Sequence, residues 1–279
     1  MGIMTYDVLG PGGLDYLPCR YGTSKLLFRG PQRDLNDPFV AFVGGTETYG
    51  KFVPTPFAMA VEQRVGVTCA NLGIANAGLD AFLGDGFVMD TVVQARVTVV
   101  QALDASNLSN RFYRVHPRRN DRFIEALPPL RALYPDVDFA QFHFTQHLLN
   151  YLQVWAPERF VMLRRELEKL WVDRMRQLLG QVAGRAIVIW AARDLPDDYG
   201  SDASRPDIPA FVSKRMLQSV EDLADETVLF APSEAARAKG TDGMVFNELE
   251  AHAASSLMGA PAHEELAARL VPLLDRLIV

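Results

Sequence analysis

A hydroxyl residue follows two glycines directly after a short apolar run, and this is where the sequence offers a group that could do chemistry. The run 39–43 is preceded by a proline and followed by Gly44 and Gly45. Such a run predicts a buried strand of a parallel sheet, and the glycines let the chain leave it in a tight turn. Thr46 then lies where a helix can begin, at the sheet edge where α/β proteins bind ligands. Its hydroxyl is therefore either a helix cap or a nucleophile.

Strands and helices must alternate along the chain to position such a turn. Apolar, β-branched runs predict strands near 39–43, 67–71, 97–103, 186–191 and 227–231. Helical patterns between them predict a parallel sheet covered on both faces, which is a three-layer α/β/α fold of flavodoxin-like type. We expect one domain over 1–279, with an irregular arm at 1–37 that is a candidate homo-oligomer contact. Segment 121–182 holds too many helices for one crossover, which predicts a helical insertion or cap.

Composition limits the classes of partner. The chain has 279 residues, 49% of them hydrophobic and 22% charged, with a formal net charge of −6. An acidic chain of this kind has no overall basic field for nucleic acid or an anionic membrane. No apolar run reaches the roughly 18 residues of a spanning helix, and the N-terminus lacks the features of a signal peptide. Cys19 and Cys69 are expected to be free thiols of a cytoplasmic protein.

Three segments resemble, in order, the sequence blocks of the SGNH/GDSL hydrolase superfamily. The segment 43–50, Val-Gly-Gly-Thr-Glu-Thr-Tyr-Gly, resembles the first block, apolar-Gly-Asp-Ser-x-Thr-Tyr-Gly. Gly45 replaces the Asp of that block, and Thr46 replaces its nucleophilic Ser. The segment 71–78 resembles the second block, Asn-x-Gly-x-x-Gly, with Asn76 in place of the last Gly. The third block, Gly-x-Asn-Asp, follows the third strand of the family. Within the segment 104–110, Asn107 is a better match to its asparagine than Asn110 is.

The last family element, Asp-x-x-His before the final helix, is poorly kept. Asp242 has Val245 three residues later, where the family has His. His263 lies near the start of the final predicted helix, and His252 is nearby. The resemblance therefore implies an SGNH-like fold over 38–110 and 242–279, with departures at the nucleophile and at the base.

The resemblance also implies roles. Thr46 would be the nucleophile of an acyl-ester hydrolase or acyltransferase, and its N–H, Asn76 and Asn107 would stabilise the oxyanion. His263 would be the base, with His252 second, and Asp242 would orient it. The alternative is a catalytically degenerate binding or scaffold protein on the same fold. A His nitrogen near the Thr46 hydroxyl would distinguish the two.

An arginine-rich segment follows the third predicted strand. Within 110–122, five arginines accompany one acidic residue, Asp121. Guanidinium groups bind phosphate, sulfate or carboxylate, so we expect this loop to hold an anionic or carbohydrate-linked small substrate beside Thr46. The expected anion-binding residues are Gly45, Asn110, Arg111, Arg114, His116, Arg118, Arg119 and Arg122. Two further interpretations stay open: arginines paired with the protein's own acidic residues, such as Asp136 and Asp138, or transfer of an activated sulfate or phosphate.

Signals for cofactors and metals are weak. His143 and His147 are four residues apart on a predicted helix, a spacing that suits zinc, but no third ligand has a matching position. Their aromatic neighbours favour structural histidines. The sequence has no Gly-x-Gly-x-x-Gly and no P-loop, and the cysteines have no CxxC spacing. We therefore expect neither a metal nor a cofactor.

Overall fold

The computed structural model describes residues 13–202, 204–205 and 208–278. The strands are β1 Val40–Val43, β2 Cys69–Asn71, β3 Val97–Gln101, β4 Tyr113–His116, β5 Arg119–Ala126, β6 Arg185–Ala191 and β7 Glu226–Phe230. The α-helices are α1 Thr46–Tyr49, α2 Phe57–Val65, α3 Leu79–Leu83, α4 Gly86–Gln94, α5 Pro128–Leu133, α6 Thr145–Trp155, α7 Pro157–Leu179, α8 Lys214–Gln218, α9 Glu234–Ala238, α10 Ala251–Ser255 and α11 Ala260–Leu277.

Five strands form one parallel sheet in the order β2-β1-β3-β6-β7. All residues of β1 and β3 are buried, which explains why their sequences are apolar throughout rather than alternating. The order reverses around β1 and β3, so the crevice at their carboxyl ends is the expected ligand site of such a sheet. The predicted fold class and all five predicted strands are confirmed.

Two hydrophobic clusters cover the two faces of this sheet. Alternate residues of β1 show the division, because Val40 and Phe42 belong to one cluster and Ala41 and Val43 to the other. Buried residues of α2, α9 and α11 pack on the first face. Buried residues of α3, α4, α6 and α7 pack on the second. The result is the predicted three-layer arrangement.

The sequence predicted that the arginine-rich segment is a polar loop and that a helix begins near 121. The structure instead has an antiparallel hairpin of β4 and β5 here, and the first α-helix after it, α5, begins at Pro128. Tyr113, Val115 and Phe123 are buried while the arginines between them reach solvent, so the alternation is that of a half-buried hairpin. A bulge beside Val115 interrupts this alternation, which hid it in the sequence.

Long helix α7 belongs to the layer that covers the sheet. Its buried face includes Leu163, Leu167 and Trp171, and the Trp171 indole donates a 2.7 Å hydrogen bond to the carbonyl of Leu103. Helix α7 is therefore the crossover helix that leads to β6. The hairpin, α5 and α6 precede it along the chain. That 1–279 is one domain with an inserted cap stays a prediction.

Residues 1–12 of the predicted N-terminal arm lie outside the described residues, and 13–37 are mostly irregular. The described part is nevertheless anchored by Tyr21, Leu26 and Phe28, which are buried. Arg29 is also buried, and its guanidinium donates to the carbonyls of Tyr49, Gly50, Val53 and Pro54. None of the helices in the described ranges has the length and apolar character needed to cross a bilayer.

Candidate functional site

A cleft of about 270 Å³ opens at the carboxyl edge of the sheet, beside the turn from β1 to α1. Polar groups of α1 and β3 meet apolar residues of the 208–209 segment and α10 across it. Its walls comprise Gly45, Thr46, Glu47, Lys51, Asn76, Ala77, Gln101, Ala102, Leu103, Asp104, Ala191, Ile208, Pro209, Ala253, Ser256 and Leu257. A smaller cavity of about 110 Å³ adjoins it and shares Glu47, Ser256 and Leu257.

The side chain of Gln101, at the end of β3, fixes the turn that presents Thr46. Its Oε1 accepts the N–H of Gly45 at 3.0 Å, the N–H of Thr48 at 3.1 Å and the Thr48 hydroxyl at 2.6 Å. A Cβ at Gly44 would lie 2.0 Å from the Thr48 hydroxyl and 2.6 Å from this oxygen. Only glycine therefore lets the strand end so close to the helix.

Thr46 is the first residue of α1, and its hydroxyl is bound by Asn76. The Asn76 N–H donates to Thr46 Oγ1 at 3.0 Å, and this hydroxyl donates to Asn76 Oδ1 at 3.2 Å. Asn76 has a φ of 58°, the left-handed conformation that glycine adopts most easily. This conformation fits the expected equivalence of Asn76 with a glycine. Throughout the described ranges, no histidine hydrogen-bonds the Thr46 hydroxyl.

Two carboxyl groups in the cleft have raised pKa values. Burial raises the pKa of Glu47 to about 7, against a hydrogen bond from the Met258 N–H that lowers it. Burial likewise raises the pKa of Asp104 to about 6, against the hydrogen bond from the Ala210 N–H. That bond is 2.7 Å long and joins the end of β3 to the segment that forms the opposite wall. Both groups therefore titrate near neutral pH, as proton donors and acceptors in catalysis do.

His263, the expected base, lies in the interior rather than in the cleft wall. Only 1% of it is exposed, and its Nδ1 accepts the Phe57 N–H at 3.2 Å. The ring stacks on Phe57, and its Nε2 lies 3.7 Å from Glu47 Oε2. Burial, followed by the charge of Arg29, lowers its pKa to about 3. A neutral, enclosed imidazole of this kind does not reach the Thr46 hydroxyl.

The other two expected members of this triad, Asp242 and His252, are both exposed. Neither is a partner of His263, because the ring nitrogens of His263 face Phe57 and Glu47. The carboxyl group beside the histidine is therefore Glu47. The structure does not assemble the expected Thr46–His263–Asp242 arrangement.

Asn107 is buried behind the cleft and is not among its described lining residues. Its Oδ1 accepts the Thr145 hydroxyl at 2.8 Å, and its Nδ2 donates to Asp104 Oδ2 at 3.4 Å. The side chain of this segment that lines the cleft is Asp104, three residues earlier. The amide expected near an oxyanion is thus replaced by a carboxyl group.

The arginine hairpin reaches the cleft through a carboxylate. Asp121 Oδ2 accepts a long, 3.5 Å hydrogen bond from Asn76 Nδ2 and lies 3.9 Å from Arg122 Nε. Burial raises the pKa of Asp121, and the charge of Arg122 opposes this. Arg122 also lies over the Phe144 ring, at 4.1 Å from its centroid.

Other members of the predicted anion site have partners within the protein. Arg111 pairs with Glu166 at 3.0 Å, and Arg114 pairs with Glu125 at 3.5 Å. The Asn110 and His116 side chains accept local backbone N–H groups at 2.8 and 3.2 Å, the first from Phe112 and the second from Arg118. Arg118 is exposed and Arg119 is half-buried. Arg111, Arg114 and Arg122 thus contact carboxylates of this chain, as the structural interpretation expects.

The histidine pair considered for zinc is not on one helix. His143 precedes α6, and its carbonyl accepts the Phe123 N–H at 3.0 Å. His147 lies on α6, with its ring against that of Phe142. Over the described ranges, no group of three or more His, Cys, Asp or Glu residues is placed to hold a metal ion.

Gln101, Asp104 and Glu47 were not chosen from the sequence. The signal for Gln101 was available, because an amide ends an otherwise β-branched, fully buried strand. Asp104 follows the same strand by three residues. Glu47 had no such signal, since a charged residue in the first turn of a helix is ordinarily a solvated one.

The chain belongs to the family described as domain of unknown function DUF6473, whose model matches residues 4–278. No curated protein matches the sequence at a significant level.

Solved structures show distant likenesses. A lipase from the goat rumen metagenome has 13% identity and a TM-score of 0.46, over 84% of this chain and 96% of that chain. A Lactobacillus plantarum protein has 12% identity and a TM-score of 0.42, over 86% and 97%. A gut microbial diltiazem-metabolizing enzyme has 12% identity and a TM-score of 0.37, over 84% of this chain and 46% of that enzyme.

Proposed function

We propose that this DUF6473 protein is an acyl-ester hydrolase or acyltransferase of SGNH-like type, with the Thr46 hydroxyl as its attacking group. The observation that supports it is the position of this hydroxyl. It lies in a cleft at the carboxyl edge of a parallel sheet, against the N–H of Asn76, and two carboxyl groups that titrate near neutral pH line the same cleft.

Attack by Thr46 on an ester carbonyl needs an acceptor for the hydroxyl proton. The titratable groups among the described lining residues are Glu47, Lys51 and Asp104. Asp104 suits this role because its pKa, about 6, leaves much of it ionised at neutral pH. The backbone N–H of Thr46 is a donor for the developing oxyanion, while the N–H of Asn76 holds the attacking oxygen. Collapse of the tetrahedral intermediate breaks the ester C–O bond, and the alcohol leaves with the proton that the carboxyl group holds. Water or an acceptor alcohol then attacks the acyl group on Thr46 and restores its hydroxyl.

The substrate class follows from the charges in the cleft. Two carboxyl groups and one lysine favour an uncharged, hydroxyl-rich substrate over an anion, because Lys51 offsets only one of the two negative charges when both carboxyl groups are ionised. Of the two classes expected from the sequence, an ester on a carbohydrate-like alcohol therefore fits better than a small anion.

A binding protein without catalysis is the second candidate. It is favoured by the pairing of the Thr46 hydroxyl with Asn76 and by the enclosure of His263, which leaves the histidine-based mechanism without its base. In this case the cleft holds a polar small molecule, and Thr46 and Asn76 only bind it.

Hydrolysis of 4-nitrophenyl acetate by the wild type, Thr46→Ser and Thr46→Ala tests the proposal. Serine lacks the methyl group that stiffens χ1 and crowds the attack, so Thr46→Ser should be faster than the wild type. Thr46→Ala should fall to the uncatalysed background. The exposed Thr55 gives a matched control, Thr55→Ala, which should equal the wild type. If Thr46→Ser and Thr46→Ala both equal the wild type, Thr46 is not the nucleophile.

A further inference from the structure

We infer that the side-chain amide of Gln101 is a fixed hydrogen-bond donor of the cleft, and that its Nε2 binds an acceptor oxygen of the ligand. Under the proposed function, on which this assignment of the ligand rests, that oxygen is a carbonyl or hydroxyl of the ester substrate. Gln101 is then a binding residue as well as the residue that holds the turn.

The hydrogen bonds of Gln101 fix which end of the amide faces the turn. An amide oxygen accepts and an amide nitrogen donates, so three donors around one atom identify that atom as the oxygen. The donors are the N–H groups of Gly45 and Thr48 and the Thr48 hydroxyl, at 2.6–3.1 Å. A flipped amide would place NH₂ against two N–H groups. The nitrogen must therefore point away from α1.

The nitrogen has no acceptor among the described residues, although Gln101 is only 5% exposed. Three polar side-chain atoms of the described residues are completely enclosed without a partner: Arg29 Nε, Tyr134 OH and His263 Nε2. Gln101 Nε2 is not one of them, and the residue lines the cleft. The remaining accessible surface of this nitrogen therefore faces the cleft.

A buried, rigid donor aimed into a cleft requires an acceptor from whatever occupies the cleft, because a donor left unpaired there costs free energy. A ligand oxygen satisfies it at no cost in side-chain ordering, because α1 already holds the amide in place. Apolar walls from Leu103, Ile208 and Leu257 surround this edge of the cleft. This combination selects a ligand with an acceptor oxygen on an otherwise compact body.

The first experiment needs no catalysis. The side-chain NH₂ signals of Gln101 are followed in ¹H–¹⁵N spectra of the wild type during titration with N-methylacetamide, a neutral carbonyl acceptor. We expect these signals to shift saturably, while those of the exposed Gln218 stay in place. Unchanged Gln101 signals at saturating probe would overturn the inference, whatever the esterase assay gives.

The second experiment separates the donor from the structural role. In Gln101→Glu, a carboxylate still accepts from Gly45 and Thr48 but cannot donate. Its kcat/KM for 4-nitrophenyl acetate should fall about tenfold or more at pH 9, where the carboxylate is ionised. The loss should shrink at low pH, because protonation restores a donor. Gln218→Glu makes the same substitution on the surface and should match the wild type.

The outcomes distinguish this inference from the proposed function. If the wild type has no esterase activity but its Gln101 signals respond to the probe, the donor role of Gln101 is supported and the proposed esterase function is rejected. If the wild type is active and Gln101→Glu has the same kcat/KM at every pH, the donor role of Gln101 is rejected and the proposed esterase function is retained. If Gln101→Glu does not fold, the titration of the wild type decides alone.

Discussion

His263 Nε2 lies 3.7 Å from Glu47 Oε2, and this pair joins the helix of the candidate nucleophile to the N-terminal end of α11. Nδ1 of the same ring accepts the Phe57 N–H, so Nε2 carries the hydrogen and faces the carboxyl group. The histidine thus faces Glu47 and not Thr46.

Glu47→Gln should change how stability depends on pH. The pKa of Glu47 is raised by burial from 4.5 to about 7, so its contribution is fully present below 4.5 and is lost as the pH rises through 7. His263, with its pKa lowered from 6.5 to about 3, acts in the opposite direction at lower pH. Relative to the wild type, Glu47→Gln should gain on the order of 3 kcal/mol between pH 4 and pH 8.

Urea unfolding of both proteins at these two pH values measures this difference. Arg29 acts on His263, and the charged residues that line the cleft or its adjoining cavity with Glu47 are the same in both proteins: Lys51, Asp104, Arg193 and Arg237. Glu248→Gln removes an exposed carboxylate and should show no such gain. Equal pH dependence in Glu47→Gln and the wild type would mean that Glu47 is solvated.

The backbone at Asn76 gives a prediction that concerns conformation rather than contacts. At a φ of 58°, Asn76→Ala should destabilise the protein by about 1 kcal/mol or more, because alanine is strained there. Asn76→Gly should be more stable than Asn76→Ala, since glycine adopts this conformation freely. Thermal unfolding compares them, with Asn36→Ala at an exposed position as the control. Equal losses in the two Asn76 variants would assign the effect to the side chain.

The sequence predicted the sheet and the Thr46 turn because both depend on local patterns. A buried parallel strand is apolar along its whole length, and a glycine pair before a hydroxyl residue marks a strand-to-helix turn. The site depends on long-range placement. Whether His263 points into the cleft or into the core is decided by the packing of α11 against α2, which no local pattern encodes. The same holds for Asp104, whose partner lies more than a hundred residues away.

The arginines of the hairpin should divide into two classes. Arg114 and Glu125 are exposed, so Arg114→Ala should change stability by no more than about 0.5 kcal/mol and leave ester hydrolysis unchanged. Arg122 is half-buried, lies over Phe144 and approaches Asp121, which contacts Asn76. Arg122→Ala should therefore be less stable and should weaken catalysis. Urea unfolding and 4-nitrophenyl acetate hydrolysis test both variants, and equal effects would contradict this division.

Asp104→Asn tests which group accepts the proton. Burial raises the pKa of Asp104 from 3.8 to about 6, so wild-type kcat/KM for 4-nitrophenyl acetate should rise as Asp104 ionises through this pH and then level off. In the wild type, the Ala210 N–H donates to Asp104 Oδ1 at 2.7 Å. Asparagine retains an oxygen that can accept this hydrogen bond, so the substitution preserves the cleft wall. It cannot accept the hydroxyl proton, and kcat/KM should fall by about 10²- to 10⁴-fold with no rise near pH 6. Asp90→Asn, on the exposed side of α4, should keep the wild-type profile. A rise that persists in Asp104→Asn, with its midpoint near pH 7, would assign the proton transfer to Glu47, the other carboxyl group of the cleft, whose pKa is about 7.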